Sequence, residues 1–205
     1  IVRIFRGALL LGVAEAEENE PSLESMRSLG LYGDVEEERI SEVIAGLLTL
    51  HHLGKPKISE EGEVKEEGKP IDMYISTYGG SADDMMSIYD SMRLAKQKCD
   101  IETIGMGKVM SAGTLILAAG TKGKRKIMKN CRVMIHSVSA GNLGTIHNLE
   151  NELEEIQHLQ EMYVSALANE TNMTKRQIRK ILDQKVNVYL TAEEAVEYGL
   201  ADEVI

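Results

Sequence analysis

The stretch Gly105-Met106-Gly107-Lys108-Val109-Met110-Ser111-Ala112-Gly113-Thr114 runs straight into Leu115-Ile116-Leu117-Ala118-Ala119-Gly120, and it constrains this chain more than any other. The second part is too apolar and too rich in small residues to face water, and the residues before the glycines (Ile101, Thr103, Ile104) read as a short buried strand. Ser111 therefore falls where a strand turns into a core helix. A helix N-terminus carries unpaired backbone N–H groups and a positive dipole end, which suits a capping serine or a nucleophile whose attack creates an oxyanion. Taken alone, Ser111 reads better as a cap.

The flanking pattern alternates strand and helix. Leu29 to Gly33 gives a strand and turn, and Asp34 with Glu37 forms a capping box for a helix whose apolar positions are Ile40, Val43, Ile44, Leu47 and Leu48. Residues 55–69 are charged and nearly free of apolar side chains, so they read as a polar hairpin or a flexible insertion. Pro70 to Ser76 is a strand that stops at Gly79-Gly80, Ser81 and Asp84 start a second helix, and Ile101 to Ile104 comes next. That order predicts an α/β fold with a mainly parallel sheet and surrounding helices. Lys124 to Met128 and Arg132 to His136 read as two further strands, and Leu200 to Ile205 as a closing one. The longest helix covers Thr145 to Asn169, longer than a small domain needs to cover its own sheet, so either part of it packs on another subunit or it is a simple amphipathic core helix, the first being the expectation. Thr174 with Gln177, and Thr191 with Glu194, are two more capping boxes.

Charge narrows the function. With 33 acidic and 23 basic residues the net charge is −10, which argues against a nucleic-acid binder. Two cysteines, Cys99 and Cys131, are too few for a disulfide framework and have no metal-ligand spacing around them, so no metal or cofactor is expected. No run approaches the length of a transmembrane helix, so no membrane partner is expected. Residues 1–16 faintly resemble a signal peptide but read better as a strand or helix of the mature protein, and residues 15–28 as an acidic surface connection.

Three features bear on Ser111. Gly79-Gly80 offers bare backbone N–H groups at the end of a strand, although an isolated Gly-Gly is more often a plain turn. His136 ends the apolar run Val133-Met134-Ile135, where a lone histidine is more often a rim residue than a base. Asp183 closes a helix whose dipole it opposes, so either solvent or a partner must justify it. Together they supply a nucleophile, a base, an acid to orient the base and an oxyanion site.

These blocks also carry a resemblance. Tyr74-Ile75-Ser76-Thr77-Tyr78-Gly79-Gly80-Ser81, Met110-Ser111-Ala112-Gly113, Ala119-Gly120-Thr121-Lys122-Gly123-Lys124-Arg125, Asn130 to His136, and Leu190 to Asp202 together resemble the ClpP family, the proteolytic subunits of Clp proteases, over roughly Leu29 to Ile205. The resemblance implies a crotonase-like fold with a protruding handle helix at 145–169. It also implies a serine endopeptidase that cuts unfolded polypeptides to short peptides through an acyl-enzyme. Its catalytic residues would be Ser111, His136 and Asp183, with Gly80 and Ala112 as the oxyanion hole and Gly79, Ser81 and Gly141 as substrate-binding positions. The implied assembly is two stacked heptameric rings, homomeric or mixed, served by an AAA+ unfoldase and located in the cytoplasm or an organellar stroma or matrix. The sequence has no G-x-x-x-x-G-K-[ST] motif, so ATP use would lie in that partner. Residues 1–28 would be an axial or pore-associated segment and 29–205 the protease domain.

The chain departs from the family pattern at Thr77-Tyr78, Ser137-Val138 and Ile181-Leu182, and its 55–69 insertion is longer than usual. Two other readings stay open: a non-catalytic or assembly-dependent paralogue in a mixed ring, and a crotonase-type acyl-CoA enzyme.

Overall fold

The computed structural model describes residues 26–54, 57–58, 64–66, 68–141, 143–184 and 186–205. The expectations for residues 1–25 lie outside these, and so do the side chains of 55–67. In order come β1 (Ser28–Tyr32), α1 (Glu37–Leu53), β2 (Lys57–Ile58), β3 (Val64–Glu66), β4 (Ile71–Thr77), α2 (Ala82–Ala95), β5 (Ile101–Met110), α3 (Ala112–Ala118), β6 (Arg125–Ile127) and β7 (Arg132–Ile135). The long helix α4 (Ile146–Glu170) is followed by α5 (Lys175–Leu182), β8 (Val188–Leu190), α6 (Ala192–Glu197) and β9 (Glu203–Val204).

The main sheet runs β1-β4-β5-β6-β9, all parallel, with β7 also parallel to β5 and β8 antiparallel to β7. Its centre is β5, which is longer than the sequence suggested. The first half of β5 pairs with β6 (Thr103↔Arg125 to Gly105↔Ile127) and the second half with β7 (Lys108↔Arg132 to Met110↔Met134). Between them the register against β4 slips, from Ile75↔Gly105 to Thr77↔Val109, and Gly107 takes φ +63. An irregularity of this kind bends a strand and re-aims the residues beyond it, and glycine supplies the left-handed residue at no steric cost. The bulge falls at the glycines, and the strand-to-helix turn comes at Ser111, where the sequence places it.

Helices cover the sheet as the apolar spacing predicts. In α1, Ile40, Val43 and Leu47 are buried; in α2, Met85, Ile88, Tyr89 and Met92; every residue of α3 is buried. The expected capping box at Asp34 and Glu37 does not form. The N-cap of α1 is Glu36, without a side-chain cap bond. The preceding Val35 is drawn into a bridge with Gly80, its N–H donating to Gly79 O (2.8 Å) and its carbonyl accepting from Ser81 N–H (2.7 Å). The boxes at Thr174 with Gln177 and Thr191 with Glu194 are both present. The charged insertion contains the antiparallel pair β2–β3. Strand β8, unread in the sequence, adds a branch beyond β7.

Helix α4 is buried only near its C-terminal end, at Tyr163, Val164, Ala166, Leu167 and Glu170. Its first half leaves Ile146 (74% exposed), Leu149 and Leu153 (54%) open to solvent. The C-terminal end is tied down by Arg125, which is 4% exposed. Its Nε donates to Asp202 Oδ2 (2.8 Å), Nη2 to Asp202 Oδ1, and Nη1 to the Glu170 and Ala118 carbonyls (2.6 and 3.2 Å). Burial pushes the Asp202 carboxyl up, but hydrogen bonds from Arg125 outweigh it and hold the group below its usual range. A carboxyl depressed in this way contributes stability above its unfolded pKa, lost as pH falls through the folded value. Replacing Arg125 by Ala should destabilise the fold by on the order of 3 kcal/mol, because partners of a buried charge lose their bonds. Urea denaturation at neutral pH measures the loss, and below about pH 3 the difference between variant and parent should shrink.

Candidate active site

Ser111 and His136 stand at the C-terminal ends of neighbouring parallel strands, β5 and β7, and the register Met110↔Met134 brings those ends level. Ser111 N–H donates to Met134 O (2.8 Å). The chain then turns through Ser111 at φ +53, ψ −121, the one non-glycine residue with positive φ among the described residues. Such a conformation costs about 1–3 kcal/mol in a non-glycine residue and persists only where its surroundings enforce it.

Those surroundings are glycines and two threonines. A Cβ on Gly79 would lie 2.5 Å from Ser111 Cβ, one on Gly80 would lie 2.2 Å from Val35 O, and one on Gly113 would lie 2.5 Å from Thr77 Cγ2. The Ser111 carbonyl accepts from Thr114 N–H (2.9 Å) and Thr114 Oγ1–H (2.7 Å). Since Thr114 has a single hydroxyl proton, Tyr163 O–H must donate to Thr114 Oγ1 at 2.6 Å, and that tyrosine is on α4. Burial pushes the Tyr163 phenol up to about 12, so it stays a donor.

The hydroxyl held out by this turn meets an imidazole. Ser111 Oγ and His136 Nε2 are 2.7 Å apart, and burial, with no charged neighbour contributing, lowers the His136 pKa below 6.5. The ring is therefore neutral at pH 7, the form that can accept the serine proton. The cap reading for Ser111 fails here: its side chain makes no cap bond to α3.

Both residues line a cleft of about 310 Å³ with Gly80, Ala112, Met134 and Tyr78. Neither Gly80 N–H nor Ala112 N–H takes part in a backbone hydrogen bond among the described residues. Ser81 also lines the cleft and caps α2, accepting from Asp84 N–H at 3.2 Å. Gly79 abuts the serine from behind, as its Cβ contact shows. Gly141 is exposed, with open space around it, and the cleft wall after His136 is made by Ser137, Val138 and Ser139. At the mouth, the Lys108 ammonium sits 4.5 Å from the centre of the Tyr78 ring. No group of three or more His, Cys, Asp or Glu residues able to hold a metal occurs among the described residues.

Asp183 is not brought to this cleft. It caps the C-terminus of α5, exposed, in a separate basic depression with Arg176, Arg179, Lys180 and Gln184. No hydrogen bond joins it to His136 among the described residues, and Arg179 is the group whose charge it perturbs. Sequence reasoning also passed over Thr114 and Tyr163. Nothing in the sequence sets the Tyr163 hydroxyl against the turn.

The Clp protease family model matches residues 15–205. The chain belongs to the Clp protease family. Proteins similar to it include ATP-dependent Clp protease proteolytic subunit 2 of Corynebacterium jeikeium, 34% identical over 192 residues, covering 92% of this chain and 84% of that one. Proteolytic subunit 1 of the same species is 35% identical over 179 residues (87% of each chain), and that of Corynebacterium glutamicum 34% over 179 residues (87% and 78%). The mixed α/β architecture, mainly parallel with surrounding helices, agrees with the ClpP fold. No helix among the described residues is long and apolar enough to cross a membrane.

Thr114 separates the turn's support from its chemistry. Thr114→Val should cost about 1–3 kcal/mol in urea denaturation, since it strands the buried Tyr163 hydroxyl, whereas Thr114→Ser should stay near the parent.

Proposed function

We propose that this Clp protease subunit is a serine endopeptidase that cuts unfolded polypeptides to short peptides, with Ser111 as nucleophile and His136 as general base. The observation that carries it is the 2.7 Å contact between Ser111 Oγ and a neutral, half-buried His136 Nε2, on a turn that holds the serine at positive φ. Ser111 Oγ attacks the scissile carbonyl as its proton passes to Nε2. The Gly80 and Ala112 amides, free of backbone partners among the described residues, receive the oxyanion. The imidazolium then gives its proton to the leaving amine, and a water activated by the same nitrogen hydrolyses the acyl-enzyme.

Ser111→Ala should abolish labelling by a fluorophosphonate probe and lower peptide hydrolysis by several orders of magnitude. Lack of Ser111-dependent labelling in any assembly of the parent chain would overturn the peptidase reading. Protonated His136 cannot accept the serine proton, and its pKa is lowered, so activity should fall with decreasing pH only below about 6.5. A profile flat from pH 5 to 8 counts against His136.

The projecting half of α4 is the surface for a second copy of the subunit, joining two heptameric rings around an enclosed chamber. Exposed Ile146, Leu149 and Leu153 have no cover among the described residues, and of a helix of 25 residues, roughly 37 Å long, only the C-terminal part is buried, where it packs against α3 and α5. Leu149→Glu with Leu153→Glu should halve the native mass measured by light scattering. Unfolded substrates would be supplied by an AAA+ unfoldase that uses the ATP, in the cytoplasm or its organellar equivalent. A mixed ring is the second reading. Asp183 stands apart from His136 in the single chain, and Corynebacterium jeikeium has relatives named as proteolytic subunits 1 and 2. Labelling that appears only after a second subunit is added would favour it.

A further inference from the structure

We infer that Asn187, not Asp183, is the residue that orients His136, acting as a positioning residue through a hydrogen bond from the imidazole Nδ1–H to its side-chain carbonyl. The inference rests on the peptidase reading for its consequence and on strand register for its geometry. Strands β7 and β8 pair antiparallel as Val133↔Leu190, Met134↔Tyr189 and Ile135↔Val188. The paired strands end at Ile135↔Val188, and the same register carried one step beyond them sets His136 against Asn187. Directly opposed residues of an antiparallel pair share a face, with Cβ atoms about 5 Å apart. Met134 and His136, two apart, both line the cleft, so their opposite numbers Tyr189 and Asn187 lie on that face too.

No hydrogen bond joins the two side chains in this structure, and both ends are available for one: among the described residues His136 bonds only Ser111, through Nε2, and the exposed Asn187 side chain makes no bond that would compete. Asp183 is four residues earlier, at the end of α5 on the Arg179 side. A ring whose Nε2 must accept from serine carries its proton on Nδ1, and an amide oxygen opposite that proton fixes the tautomer and the ring plane. What an amide withholds is charge. It holds the neutral ring but gives the imidazolium none of the stabilisation a carboxylate would supply. The charged or titratable groups on elements packed against β7 are Glu102 and Lys108 on β5, Arg132 on β7 itself, Tyr189 on β8, and Glu193, Glu194 and Glu197 on α6. None of them contributes to the lowered pKa of His136, which burial alone causes.

The test uses the full chain, its Asn187→Asp, Asn187→Ala and Asp183→Asn variants, peptidase kinetics, and nitrogen NMR of the His136 ring across pH. Asn187→Asp should raise the His136 pKa by about one unit or more and move the acid limb of kcat/KM up by the same amount. Asn187→Ala should lower kcat roughly 100-fold or more at little changed KM, and erase the preference for the Nδ1–H tautomer. Asp183→Asn should change neither. An unmoved His136 pKa in Asn187→Asp, or a shift in Asp183→Asn instead, would overturn the assignment. The NMR readout needs no activity: absent Ser111 labelling sinks the peptidase reading, while the ring titration still decides whether Asn187 faces His136.

Discussion

Everything at the cleft depends on β5 changing partners along its length. A strand has two edges, and β4 holds one of them throughout. The other is shared, β6 taking the residues before the bulge and β7 those after it. β6 and β7 pair with that edge at different heights and not with each other, so the sheet forks there and β8 branches from β7. The cleft sits beside this fork, at the carboxyl ends of β5 and β7, the edge at which parallel sheets generally place their chemistry. Ser111 and His136 are therefore neighbours because of the ladder that pairs Met110 with Met134 and ends in the Ser111 N–H bond to Met134 O.

The local turn is fixed by polar bonds from outside it. Its carbonyl is held by Thr114, Thr114 by Tyr163, and Tyr163 by the buried end of α4. The same helix end is gripped by Arg125, whose guanidinium also reaches α3 and Asp202 near the C-terminus. These are connections between elements far apart in sequence. They make α4 a brace for the nucleophile turn at one end and an open apolar surface at the other.

Much of this was legible in the sequence because it comes from short-range chemistry. The strand-helix alternation, the apolar faces of α1 and α2, the boxes at Thr174 and Thr191, and the surplus length of α4 are each set by a few residues at fixed spacing. The serine turn was legible too, since only small residues could pack so closely around it. The features that failed were those settled by partners distant in the chain. Asp34 reads as a capping residue in isolation, but the chain beside it is drawn to Gly79 and Gly80. Three residues, Val188 to Leu190, make too short a strand to show a period, and without it no register is legible for the segment that follows α5. Asp183 was chosen by its position along a pattern, and position along a chain does not say which way a helix end points.

The left-handed backbone at Ser111 has a consequence for what selection can do here. Glycine would adopt φ +53 without strain, and it would leave the close approach of Gly79 unobstructed. The chain is therefore less secure with a serine at this position than it would be with the one residue that lacks a side chain altogether. Drift toward a sturdier protein and retention of the hydroxyl pull in opposite directions at a single codon. A hydroxyl kept at that disadvantage is there for something other than the fold.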